Sequence, residues 1–201
     1  MAGRRLLIPA RTRKRRAAMV HCLTRHRRLM ANVLTALRLL LVAPFAVLMA
    51  RGGTRYATLD ALMFVVAIAT DLLDGPLARR RGTASAAGGT FDHTVDFLFV
   101  TGGLAAGASR GAFPWILPVL VAAAFAQYVA DSYWLHRDRT LRTSRLGRYN
   151  GILYFAPLGG DLLIRLGLTL LEPLLTLLVW ILVAGTLISM GERLRAVRAL
   201  S

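Results

Sequence analysis

Long apolar runs separated by short charged stretches repeat along this 201-residue chain. Six runs stand out, over residues 31–50, 57–79, 92–109, 112–135, 149–169 and 171–191. Each holds about 18 to 24 residues, enough to cross a hydrocarbon core of about 30 Å at 1.5 Å per residue. The pattern predicts an all-α, polytopic membrane protein with six transmembrane helices. The fifth run is the least continuous, because Gly159, Gly160, Asp161 and Arg165 interrupt it. Asp161 and Arg165 are spaced i, i+4, and pairing between them would soften the cost of two charges in an apolar helix.

The charges between the runs set the orientation. Ten Lys/Arg fall within residues 1–28, and further basic clusters lie at Arg79 to Arg81, Arg137 to Arg148 and Arg193 to Arg198. The alternate connections carry only Arg51 and Arg55, then Arg110, then Glu172. An excess of Lys and Arg on the cytosolic side therefore puts both termini, the 80–91 loop and the 136–148 loop in the cytosol. Six crossings satisfy this alternation, whereas five or seven do not.

Composition agrees once the membrane is considered. A soluble domain of this length is rarely 56% hydrophobic with a mean hydropathy of +0.53, yet the formal charge is +16. A membrane core with basic cytosolic ends reconciles the two values. Three parts follow: a basic arm and amphipathic juxtamembrane helix over 1–30, a six-helix catalytic domain over 31–191, and a short basic tail over 192–201. In the arm, Met19, Cys22, Leu23, His26 and Met30 recur at helical spacing among arginines, a pattern suited to an anionic membrane surface. An Arg-rich, acid-free start also resembles a mitochondrial transit peptide, and a basic arm is also a way to touch nucleic acid. The preferred reading has no nucleic-acid partner and places the chain in a bacterial inner membrane, with the mitochondrial inner membrane as the alternative. With Cys22 as the one cysteine, no internal disulfide forms and no zinc site is indicated.

Ten acidic residues are present, and four of them crowd two adjacent runs: Asp71, Asp74, Asp92 and Asp96. Carboxylates at membrane depth are costly and usually functional. At 100° per residue, Asp71, Asp74, Gly75, Ala78 and Arg79 share an arc of about 140°. Asp92 and Asp96, four apart, share a face of the next helix, and Gly88 joins them if that helix starts early enough. Four clustered carboxylates repel one another unless cations hold them. Hard oxygen donors without His or Cys suit Mg²⁺, Mn²⁺ or Ca²⁺, and Mg²⁺ completes its shell with substrate phosphates. Arg79 adds a fixed bidentate phosphate donor, and the two glycines leave room for a ligand. The combination points to phosphoryl chemistry.

The string Asp-x2-Asp-Gly-x2-Ala-Arg-x8-Gly-x3-Asp-x3-Asp resembles the signature of the CDP-alcohol phosphotransferase (CDP-alcohol phosphatidyltransferase) family, class I, with all eight fixed positions at the right spacing. Asn32-Val33-Leu34-Thr35-Ala36-Leu37-Arg38 resembles the Asn-x2-Thr-x2-Arg opening of that family's first helix. Arg145, Gly147 and Arg148 more loosely resemble the basic stretch before its fifth. The resemblance implies a homodimeric six-helix membrane enzyme that transfers a phosphatidyl group from CDP-diacylglycerol to an alcohol and releases CMP. It implies that Asp71, Asp74 and Asp92 hold two Mg²⁺ or Mn²⁺ ions. Asp96 would be the general base on the acceptor hydroxyl and also a ligand. Gly75, Ala78, Arg79 and Gly88 would contact the CDP part, and Asn32, Arg38, Arg145 and Arg148 would bind phosphate or the acceptor.

One departure leaves the acceptor open. Members making phosphatidylglycerophosphate commonly read Asp-Pro-x-Ala-Asp-Lys at the second carboxylate pair, whereas this chain reads Asp92-His93-Thr94-Val95-Asp96-Phe97. The arginine-rich 137–148 loop suits a phosphorylated acceptor, glycerol 3-phosphate or inositol phosphate, and phosphatidylglycerol (a cardiolipin synthase) is a further alternative. From a different class, a cation-binding carrier also uses intramembrane carboxylates, although those belong near the midplane. A catalytically dead scaffold is disfavoured by the intact motif.

Several other residues carry expectations. Pro76 is expected to bend or end its helix, and His93 is read as a spacer. Arg38 either reaches the site or snorkels to the interface. Gly103-x3-Gly107 is expected to allow close packing inside one subunit rather than between two. Trp115, Tyr133 and Trp134 are expected to anchor segment ends at the interface.

Overall fold

The structure, a computed structural model, describes residues 33, 35–79, 86–130 and 151–198. Its elements are helices: α1 (residues 35–51), α2 (Thr54–Arg79), α3 (Ala86–Ser109), α4 (Ile116–Ala130), α5 (Phe155–Arg165) and α6 (Glu172–Arg198), with a single 3-10 turn at Thr169–Leu171 before α6. No strand occurs among the described residues, so the all-α class expected from the apolar runs holds.

Aromatic rings and small residues set how the rods meet. Phe99 of α3 stacks on Phe45 of α1 at 4.4 Å between centroids, and Phe64 of α2 and Phe155 of α5 extend the stack. On the other flank of α3, Phe97 stacks on Phe125 of α4 at 4.0 Å. Helix α3 thereby touches four partners and forms the middle of the bundle, while α4 and α5 both pack on α6. Gly103 makes this approach feasible. A Cβ there would stand 2.7 Å from the Phe45 ring and 3.0 Å from Leu158, and one at Gly107 would strike the Phe113 ring. The Gly103-x3-Gly107 pair is thus used for close packing within the subunit, as its face on α3 suggested.

Polar bonds tie the second half. The Tyr154 and Thr186 hydroxyls are 2.7 Å apart, and Thr186 Oγ1 donates back to the Leu182 carbonyl at 2.6 Å. Gln127 donates to the Met190 carbonyl, and the Arg193 guanidinium lies 5.2 Å from the centroid of the Tyr128 ring.

The distribution of polarity is inverted relative to a water-soluble fold. Arg38 is 1% exposed and Asp60 0%, whereas Leu40 is 73% and Leu170 91% exposed. Large apolar side chains face outward along α1, α2, α4 and α6, while Arg38, Asp60, Asp161 and Arg165 are buried. Surrounded by water, that surface would be an extended hydrophobic liability. In lipid, packing and internal polar contacts hold helices together and leucine needs no burial.

Several expected boundaries shift. Helix α3 begins at Ala86 rather than 92, so Gly88 does lie on the carboxylate helix. Helix α2 continues through Pro76 to Arg79, so the proline does not end it; the missing N–H removes one rung of the ladder while the rest persists. The fifth run is not one helix over 149–169. Residues 151–153 are helical, Tyr154 keeps helical dihedrals as a turn before α5, and the 11-residue α5 stops at Arg165. At ~16 Å it falls short of a ~30 Å core by itself. The last helix outruns its expected end at 191 and reaches Arg198. Among the described residues one helical stretch, Thr169–Arg195, is long and apolar enough to cross a membrane. Trp115 is 56% exposed at the start of α4. The 1–30 arm, Asn32, the 136–148 loop with Arg145 and Arg148, Tyr133, Trp134 and residues 199–201 lie outside the described residues.

Candidate active site

The motif falls on the facing ends of two consecutive helices. Asp71, Asp74, Gly75, Ala78 and Arg79 occupy the last turns of α2, and Gly88, Asp92 and Asp96 the first turns of α3. Only residues 80–85 separate the end of α2 from the start of α3, so the two halves of the motif lie on consecutive helix ends. The side chains of Asp71, Asp74, Gly75, Ala78, Arg79, Gly88 and Asp92 lie outside the described ones, and among the described side chains no group of three His, Cys, Asp or Glu stands close enough to hold an ion.

Asp96 is described. Its carboxylate is paired through Oδ1 with Nη1 of Arg38, which reaches it from α1. The arginine side chain is 1% exposed and the aspartate 21%. Burial excludes a guanidinium that snorkels to the interface. Thr35, one turn before Arg38, is also buried, so the same stripe of α1 lines this end. His93 is exposed, in keeping with a spacer between two motif carboxylates.

A second charged assembly lies at the far end of the bundle, and the sequence reading did not anticipate it. Asp60 of α2 accepts from Arg165 Nη1 of α5 at 2.7 Å. Arg165 also donates through Nε and Nη2 to the Gly53 carbonyl at 3.3 and 3.2 Å. Asp161 is ion-paired with Arg110, whose Nε donates to the Met49 carbonyl at 2.8 Å. The expected i, i+4 contact of Asp161 with Arg165 is present at 3.9 Å, but each has a closer partner on another helix. Positive φ at Gly52 and Gly53 permits the abrupt α1–α2 turn that aims the Gly53 carbonyl inward. Two carboxylates and two guanidiniums thus balance in an enclosed layer joining the ends of α1, α2, α3 and α5. Asp60, a lone acid in an apolar stretch, was the available signal; its partners, 105 residues away in Arg165, were not legible from local spacing.

The donor chemistry at the motif end fits a divalent cation. Four carboxylates three and four residues apart on two helix ends supply hard oxygens, with no sulfur or imidazole in the set. Four carboxylates gathered at one end of two helices repel one another unless counter-charge is brought to them, and a divalent cation supplies it.

A family model described as CDP-alcohol phosphatidyltransferase matches residues 28–190. Two curated relatives, from two strains of Mycobacterium tuberculosis and each named "Probable phosphatidylglycerophosphate synthase", are 33% identical over 95 residues. That alignment covers 46% of this chain and 46% of each relative, so the chain matches about half the length of the curated relatives. No solved structure matches the chain.

Proposed function

This chain belongs to the CDP-alcohol phosphatidyltransferase family, and on that premise we propose that it transfers the phosphatidyl group of CDP-diacylglycerol to glycerol 3-phosphate and releases CMP. The observation that carries this reading is the full eight-position motif on the facing ends of α2 and α3, within a chain of a membrane-embedded transferase family. The name of the relatives supports the acceptor, because phosphatidylglycerophosphate is the product of joining a phosphatidyl group to glycerol phosphate.

In this proposal the six helices of the 31–191 domain cross a bacterial inner membrane, two copies form a homodimer, and the motif end faces the cytosol. Outward leucines and enclosed charges support immersion in lipid. There the diacyl tails of the donor stay in the bilayer while its pyrophosphate and a water-soluble acceptor meet at the interface. The 1–30 arm and the 192–201 tail rest on the anionic cytosolic surface.

Asp71, Asp74, Asp92 and Asp96 would hold Mg²⁺ or Mn²⁺, which when bound neutralises the donor's pyrophosphate. Gly75, Ala78 and Gly88 present open helix surface to the CDP part, and Arg79 donates two parallel hydrogen bonds to phosphate. Asp96 accepts the proton of the acceptor hydroxyl as its oxygen attacks the phosphorus bearing the diacylglycerol. The new P–O bond forms as the bond to CMP breaks, and CMP departs with the electron pair. Asn32, Arg145 and Arg148 are proposed to bind the phosphates of donor or acceptor.

The test is CMP release from purified protein in vesicles containing CDP-diacylglycerol, with glycerol 3-phosphate, inositol phosphate, serine or phosphatidylglycerol offered in turn. Release with glycerol 3-phosphate alone is the expected result. Release only with another alcohol reassigns the acceptor. Cation flux across the vesicles with no CMP from any of them would replace the enzyme with a carrier.

A further inference from the structure

Arg38 stands out among the buried charged groups because it sits at the motif end yet is closed to ligand. Its side chain is 1% exposed, while that of Asp96, its partner, is 21% exposed. Of the two, the carboxylate is the member a substrate can meet. The guanidinium is enclosed and its Nη1 already meets the Asp96 carboxylate, so a phosphate taking that nitrogen would leave a carboxylate without its counter-charge.

We propose that Arg38 is a positioning residue, which acts on the reaction through Asp96 rather than by binding phosphate. This rests on the phosphatidyltransferase reading of the site. The guanidinium cannot lose its proton, and its planar fork holds a carboxylate oxygen in a fixed direction. Arg38 therefore restricts the Asp96 side chain to one orientation relative to the acceptor hydroxyl, and misplacement of such a group by about 1 Å can cost about 10²-fold in rate. It also places a permanent positive charge against one of the four carboxylates, which weakens that carboxylate's hold on a divalent cation. The pair joins α1 to α3 across 58 positions of sequence, so the geometry of the base depends on a helix outside the motif.

The experiment uses the full chain in nanodiscs, with Arg38→Gln and Arg38→Lys each made in the native and the Asp96→Asn backgrounds. Mn²⁺ binding without substrate is followed by electron paramagnetic resonance, and kcat and KM for CDP-diacylglycerol by CMP release. Arg38→Gln is expected to lower kcat by about tenfold or more while KM stays within about threefold, the signature of a contact used in the transition state. The same change is expected to tighten Mn²⁺ binding severalfold in the native background and to leave it unchanged beside Asp96→Asn. Arg38→Lys, which keeps the charge and loses the fork, should retain the native Mn²⁺ affinity and restore only part of kcat. A raised KM with native kcat would overturn the proposal in favour of phosphate binding. An equal Mn²⁺ shift in both backgrounds would overturn it in favour of a diffuse field. Should Arg38→Gln fail to fold, Arg38→Lys decides: native kcat and KM refute a role for the fork. If the unaltered protein releases no CMP with any acceptor, the functional reading fails, while the Mn²⁺ cycle still decides whether Arg38 acts on Asp96.

Discussion

The two ends of the helix bundle solve the problem of charge in a membrane in opposite ways. At the far end, Asp60, Asp161, Arg110 and Arg165 meet as two acids and two bases, buried except for Arg110 and tied to the Met49 and Gly53 carbonyls. At the motif end, four aspartates share the ends of α2 and α3, and Arg38 is bound to one of them. About 20 Å of α3 separates Asp96 from Ser109, beside Arg110, at 1.5 Å per residue. A neutral cluster needs no ligand and makes a clamp. Carboxylates crowded on two adjoining helix ends are stable together only with counter-charge, which a bound cation would supply at a reaction site.

The largest expected effect tests the motif end. Asp96→Asn should cut CMP release by up to about 10⁴-fold, the range of a lost general base, while the melting temperature in detergent stays near native. Full turnover in that variant would remove Asp96 from the base role and blur the contrast between the ends. The far end should show the reverse. Asp60→Leu leaves two guanidiniums to share Asp161 and should cost about 3–5 kcal/mol of stability, read as a lowered unfolding midpoint. Replacing Arg165 by Leu as well should recover part of that loss, and no recovery would mean the pair is not a unit.

Smaller changes sharpen the picture between the ends. Gly107→Ala drives a methyl into the Phe113 ring, and such overpacking costs about 1–3 kcal/mol. Its effect should appear in thermal melts, with KM for CDP-diacylglycerol unmoved. Thr186→Val removes the hydroxyl that meets Tyr154 and should cost about 1 kcal/mol, the net worth of an ordinary hydrogen bond. A larger loss from Thr186→Val than from Asp60→Leu would show that the second half, rather than the charged layer, holds the bundle.

Much of the architecture was legible in one dimension. A helix crossing lipid must satisfy its backbone internally and stay apolar for most of its length, so the runs of Leu, Val and Ala marked where the helices lie, though not where several of them begin or end. The motif was legible for a related reason: its spacing places side chains on one face of each helix, and the short 80–85 connection leaves its two halves little room to separate. What escaped the sequence depended on distant partners. Helix α5 stops in a local glycine cap, with Gly167 at φ 112° and the Leu168 N–H bonded back to the Leu163 carbonyl; what no window around 149–169 records is the reach of Arg165 to Asp60 and the Gly53 carbonyl. The local pair of Asp161 and Arg165 that the spacing suggested is present, and each residue is also held more closely from another part of the bundle.

By itself the sequence determined the helical class, the approximate helix positions, and the eight-residue pattern that identifies the family, since each depends on spacing along a single rod. Only the tertiary structure decided which charges neutralise one another. The partners of Asp60 and Asp96 lie 105 and 58 positions away, and a Coulombic contact depends on distance in space rather than along the chain.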